Sequence, residues 1–253
     1  MKINKKYMIL LGIFTIYILV MFLIFGRDFI RNNLDSSTIA ISPDTIWNFE
    51  QGKWKDNGNK TDYSMKNYEV YEDSKYLGEL KLTYNDKLYL FDSERKPVRY
   101  ENSIIAVKGS IDIGVIPFKN TTISNSNKVV TKILKEKKIK VSRDTLTSKL
   151  IKIDLDNDGK LEEIYTISNV FNTDDYSNSI AIIAVLENNE ITYLKEDVKE
   201  GKYTLTMCMP YIQNIIDIDK DKKYEIITTC SYYSNNGTCH TLFDNDYKML
   251  KGC

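Results

Sequence analysis

Two short acidic segments constrain the fold of this chain more than any other feature. The first, Asp154-Leu155-Asp156-Asn157-Asp158-Gly159-Lys160-Leu161-Glu162, sets three carboxylates on alternate residues, then a glycine, then a further acid. The second, Asp217-Ile218-Asp219-Lys220-Asp221-Lys222-Lys223-Tyr224-Glu225, starts 63 residues later. An apolar run enters each segment (Leu150 to Ile153; Ile212 to Ile216), and a strand-forming run leaves it (Ile164 to Ile167; Glu225 to Thr229). A hairpin pattern follows each exit: Ile180 to Leu186 and Ile191 to Lys195 joined at Asn188-Asn189, then Thr238 to Phe243 and Tyr247 to Leu250. This strand–loop–strand–hairpin grammar, repeated at about 60 residues, predicts two propeller-blade-like β units over residues 148–253.

The acid spacing is that of a loop wrapped around a hard cation. Calcium takes six to eight oxygen ligands at about 2.3–2.6 Å. The first loop offers the side chains of Asp154, Asp156 and Asp158, the carbonyl of Lys160, and Glu162. Gly159 suits the positive φ of a sharp turn, and Asn157 tolerates the same conformation. Residue 165, where an EF-hand carries a bidentate glutamate, is Tyr165, and the text there reads as strand. The second loop offers Asp217, Asp219, Asp221, the carbonyl of Lys223, and Glu225. Lys222 stands where the first loop has glycine, at a cost of about 1 kcal/mol. With Lys220 it also adds positive charge, so the second site is expected to be the weaker. Counting from the first aspartate equates Glu162 with Glu225, whereas matching the exit strands equates Glu163 with it; Glu162 is preferred.

The stretch Ile153 to Ile164 resembles the calcium loop of FG-GAP or VCBS-type repeats, the units of the integrin α-chain propeller, and Ile216 to Ile227 resembles it less closely. The resemblance covers roughly residues 148–253. It implies calcium as the cofactor, a metal that stiffens the blade, and a layout similar to membrane-anchored bacterial proteins bearing such repeats.

Upstream, residues 43–147 read as β-rich. Thr45-Ile46-Trp47, Glu79 to Tyr84, Lys87 to Phe91, Ser103 to Val107 and Ile111 to Phe118 carry strand formers, and Asn85-Asp86 marks a hairpin turn. One amphipathic helix is expected after Ser124 or Ser126 as the cap, with Val129, Val130, Ile133 and Leu134 on its apolar face. Lys135-Glu136-Lys137-Lys138 then forms its wet side. The fold class is mainly β with some α.

The N-terminus sets the compartment. Tyr7 to Gly26 is an uncharged run of 20 residues, enough to cross a hydrocarbon core of about 30 Å. No small-residue cleavage site follows it closely, so residues 1–26 read as a cytoplasmic tip and uncleaved signal anchor, and residues 27–42 as a stalk. Lys2, Lys5 and Lys6 precede the run, against Arg27 and Arg31 after it. That asymmetry places the N-terminus inside and the large domain outside. The four cysteines, Cys208, Cys230, Cys239 and Cys253, fall near the C-terminus, and an even number in an external domain predicts disulfides. Three pairings exist; Cys230 with Cys239 across a turn at 234–237, and Cys208 with Cys253, come first. A zinc site with His240 is the rival, although no C-x-x-C pair is present.

Basic and acidic residues balance at 35 each, which argues against nucleic acid as a partner. His240 is the only histidine and adjoins Cys239; neighbours on a strand face opposite ways, so they form no dyad. There is no phosphate-binding loop and no dinucleotide fingerprint. Trp47, Trp54 and the tyrosines read as core or surface before they read as sugar platforms. The expectation is a calcium-stabilised binding or scaffold module outside the membrane, without catalysis, meeting an envelope protein or a glycan. The alternative is a cell-envelope hydrolase or its accessory subunit.

Overall fold

The structure, a computed structural model, describes residues 37–50, 53–56, 65–109, 113–138, 140–170, 178–199, 207–232 and 237–252. The anchor expected over Tyr7 to Gly26, and Cys253, lie outside these residues. Among the described residues no helix is long and apolar enough to cross a membrane.

The described chain is mainly β. The first eight strands are β1 (Thr38–Ile41), β2 (Thr45–Glu50), β3 (Lys53–Asp56), β4 (Lys66–Glu72), β5 (Lys75–Asn85), β6 (Lys87–Phe91), β7 (Pro97–Val98) and β8 (Ile104–Lys108). They form one sheet of order β3-β2-β1-β8-β4-β5-β6-β7, here called the outer sheet. It curls enough for the Leu88 N–H to donate to the Pro43 carbonyl at 2.8 Å. Its concave side buries Ala40, Ile46, Tyr68, Val70, Leu82, Leu88 and Leu90 together. Thr38–Ile41 was expected to end the stalk. It is instead a fully buried strand paired on both sides, with β2 and β8. Its four residues are too few to show a period, and the polar residues before them masked the apolar pair Ile39 and Ile41.

The two predicted units are each a four-stranded antiparallel meander. The first comprises β11 (Thr147–Ile153), β12 (Glu162–Ser168), β13 (Ser179–Glu187) and β14 (Glu190–Lys199); the second comprises β15 (Cys208–Asp217), β16 (Glu225–Tyr232), β17 (Thr238–Phe243) and β18 (Met249–Lys251). Each gains a fifth strand from one upstream segment. There β9 (Gly114–Ile116) pairs with β15, and β10 (Thr121–Thr122) pairs with β11. Residues 114–122 therefore strap both meanders. Of the strand expected over Ile111 to Phe118, only Gly114–Ile116 is a described strand. Asn188 and Asn189 both take positive φ at the β13–β14 turn, the geometry of a two-residue hairpin.

Among the described residues no closed propeller or barrel forms; the sheets stack as layers. One face of the β15 meander, with Ile216, Ile218, Ile227 and Leu242, packs on Ile39, Ile41, Trp47, Ile105 and Val107 of the outer sheet. Its other face, with Ile212, Ile215, Ile226 and Phe243, packs on Ile151, Ile153, Ile164, Ile183 and Val185 of the β11 meander. The β15 meander is thus the middle sheet. The far face of the β11 meander is covered by α1 (Lys128–Glu136), through Val130, Ile133 and Leu134. That helix occupies the face that a further blade would need, which ends the stack. Each aliphatic side chain buried in these layers contributes about 1.5–3 kcal/mol. The α1 cap is Asn127, one residue beyond Ser126; its Oδ1 accepts from Val129 N at 2.8 Å and Val130 N at 3.4 Å. Lys137, expected on the wet side, pairs with Glu196 and lies over the Tyr193 ring.

Candidate metal loops

Both acidic segments are turns between a core strand and its antiparallel neighbour, β11 to β12 and β15 to β16. In the first loop the Asp154 carboxylate accepts from Asp158 N at 3.1 Å and Gly159 N at 3.0 Å. Asp156 accepts from Asp158 N at 3.1 Å, and Asp158 from Lys160 N at 2.7 Å. Asn157 and Gly159 take φ of +58° and +87°. A Cβ on Gly159 would meet nothing within 4 Å, so glycine serves the turn through its φ and not through space. Glu162 begins β12, is 4% exposed, and reaches back to accept from Leu155 N at 2.5 Å.

The second loop repeats this frame except for one bond: Asp217 Oδ1 has no counterpart of the Asp158 N–H that Asp154 Oδ1 accepts. Asp217 accepts from Lys222 N at 3.3 Å, Asp219 from Asp221 N at 3.3 Å, and Asp221 from Lys223 N at 2.8 Å. Glu225 accepts from Ile218 N at 2.9 Å, as Glu162 does from Leu155 N. Lys220 and Lys222 hold φ of +59° and +66°, so the loop keeps its left-handed turn without glycine. Leu155 and Ile218, the second residue of each loop, are buried in the two interlayer cores. Their alternation between acids gave no sign of this anchoring role in the sequence. The loops also touch: Tyr224 N donates to the Leu155 carbonyl at 2.8 Å.

Three ligand oxygens converge in each loop within 4.8 Å of one another. Oxygens that share one ion at about 2.4 Å lie no more than about 4.8 Å apart, so each group could hold a metal ion. In the first loop the converging acids are Asp154, Asp156 and Glu162; in the second they are Asp217, Asp219 and Asp221. Asp158 lies outside the first group, its carboxylate held by the Lys160 ammonium at 2.8 Å. Glu225 lies outside the second group. The N–H groups of Lys160 and Lys223, whose carbonyls were the expected ligands, close equivalent turns onto Asp158 and Asp221. Glu163, the rejected alternative, faces away and pairs with Lys152 and Tyr165. Strand alternation decides between the two glutamates: one faces the loop and its neighbour the sheet's opposite face.

Electrostatics mark the loops as crowded with negative charge. Burial raises Glu162 above the usual carboxylate range, with Asp156 and Glu187 adding repulsion. Burial pushes Glu225 up to about 8, reinforced by Asp219 and Asp221. Asp219 is raised by burial and then by Asp221. Asp158 is lowered by its hydrogen bonds to Lys160. Asp217 Oδ1 is buried and accepts no hydrogen bond from the described residues. A cation would satisfy that oxygen and relieve the raised acids.

The cysteines depart from the expected order. Cys208 pairs with Cys230, at a Cα separation of 5.1 Å, and not with Cys253. Cys230 and Cys239 do face each other across β16 and β17. However, β16 is flanked on both sides, and Cys230 turns to the β15 neighbour. Cys239 is also disulfide-bonded, and no described cysteine is free, which removes the zinc alternative built on these thiols. His240 is 1% exposed and bonded through Nδ1 to Thr229. Trp47 and Trp54 are core residues, at 1% and 6% exposure.

No protein-family model, no curated protein and no solved structure matches the chain.

Proposed function

We propose that the chain is a membrane-anchored, extracytoplasmic binding or scaffold module whose acidic loops hold calcium, in the manner of FG-GAP or VCBS-type blades. The observation that carries this reading is the shared hydrogen-bond frame of the two loops, which turns three carboxylates inward in each. A solvated acidic turn has no need to repeat such a frame. The uncharged run Tyr7 to Gly26 would supply the anchor, and the disulfide fits an oxidising compartment. The metal's role is structural: each loop joins two core strands and buries its second residue between layers, so an ion there stiffens the stack. The partner would be an envelope protein or a glycan.

The test is thermal melting of the full-length chain with calcium and with chelator. Calcium at a hundred times its Kd should add about 2.7 kcal/mol, or roughly 5–10 °C in melting temperature. Asp156→Ala should remove the share of that rise belonging to the first loop. Identical melting curves with and without calcium would sink the metal reading.

A further inference from the structure

Among the described strands that end a sheet, β14 stands apart by its length. It has 10 residues, Glu190–Lys199, against 4 in β3, 3 each in β9 and β18, and 2 each in β7 and β10. A bare edge strand is a template for another chain, and folds commonly keep such edges short. β14 pairs with β13 on one side and with no described strand on the other. It carries no proline to interrupt its row of N–H and C=O groups.

The edge also matches itself. Leu194 is the extra residue of a bulge, between the Tyr193–Ala184 and Lys195–Ile183 pairs, and it shifts the alternation of the strand halfway along. Before the bulge Ile191 and Tyr193 face α1. After it Val198 and Glu196 do, with Glu196 paired to Lys137 at the end of that helix. In a regular strand of this length the first and last residues lie on opposite faces. The bulge brings Glu190 and Lys199 onto the same face. Two antiparallel copies related by a two-fold axis at Leu194-Lys195 therefore keep every facing pair on one side of the joined sheet. Glu190 then meets Lys199, Ile191 meets Val198, Thr192 meets Asp197, and Tyr193 meets Glu196. Opposite charges face each other at both ends, branched apolar residues lie beside them, and no like charges are opposed. A slip of one residue sets the faces against each other. A slip of two either sets Glu190 opposite Asp197 or leaves Glu190 without a counterpart.

We infer that β14 is the docking edge for a second copy of this chain, joining two five-stranded sheets into one antiparallel sheet of ten. The contact is isologous, with the same residues used on both sides of the axis. An unrelated extended peptide can use the backbone row, but it has no reason to match the bulge or the order of charges. The edge uses no residue of either acidic loop, so it stands apart from the calcium reading.

Sedimentation equilibrium of the full-length chain in detergent micelles, with chelator present throughout, tests it. A monomer–dimer equilibrium with Kd of about 1–100 µM is expected for a contact of this modest size. Glu190→Lys and Lys199→Glu should each weaken dimerisation about tenfold, because the reversed pair occurs twice about the axis. The double variant again sets opposite charges face to face and should return to within about threefold of the wild type. A chain that stays monomeric up to about 300 µM overturns the proposal. So does a dimer that both single reversals leave unchanged, since it is held by some other surface. Weakening in both single variants with no recovery in the double variant also overturns it, because the two residues then do not face each other.

Discussion

His240 sits in the interior of β17, where its ring can keep a proton only at the expense of solvation. Burial lowers it from the ordinary value of 6.5 to about 4, against a smaller opposing backbone bond with Ser42. The unfolded chain therefore binds more protons than the folded one between those two values. Stability from this residue is complete above pH 6.5 and is lost as pH falls toward 4, by up to about 3 kcal/mol. Urea unfolding of the wild type and His240→Gln across pH 4–7, at fixed chelator, should show the wild type falling more steeply on acidification. Parallel curves would show that His240 does not titrate on unfolding in this window. At this scale the acidic loops were largely legible, because all their groups lie within nine residues of chain and spacing alone brings them together. The choice between Glu162 and Glu163 was not, since it depends on which face of β12 each occupies. Nor was the fate of Asp158, which an exposed lysine two residues away draws off.

The Cys208–Cys230 bond pins the first residue of β15 to the end of β16, closing a separation of 22 residues that includes the second acidic loop. A cross-link of that span is worth about 3 kcal/mol, chiefly through the unfolded chain. Replacing both cysteines with alanine should lower the melting temperature by about 10 °C. A drop of that size should leave calcium's added stabilisation intact, because the loop's own bonds do not involve the sulfurs. Circular dichroism melts with and without calcium would check both parts. Most strands were readable from alternation, and the β13–β14 turn from its two asparagines. The elements that escaped did so for physical reasons. β1 is too short to show a period, β9 and β10 take their identity from distant partners, and Asn127 competed with two nearby serines for one cap. The disulfide was misassigned because a central strand offers each cysteine two neighbours, and chain proximity favours the wrong one.

The order of layers differs from the order of sequence. The outer sheet comes first along the chain, the helix-backed meander second, and the sheet that lies between them last. That arrangement was not legible beforehand, since strand patterns say which face is apolar and not what will cover it. It predicts that removing residues 237–253, and with them β17 and β18, yields an insoluble or protease-sensitive chain in place of a smaller folded domain. A soluble truncated chain with a cooperative melt would contradict it. The strap at residues 114–122 sharpens the point, because β9 waits for β15, which arrives about a hundred residues later. At synthesis rates of about 5–20 residues per second, the last fifty or so residues take roughly 3–10 s to appear. For those seconds two finished sheets each present a bare apolar face, and the newborn chain depends on whatever in its surroundings keeps such faces apart.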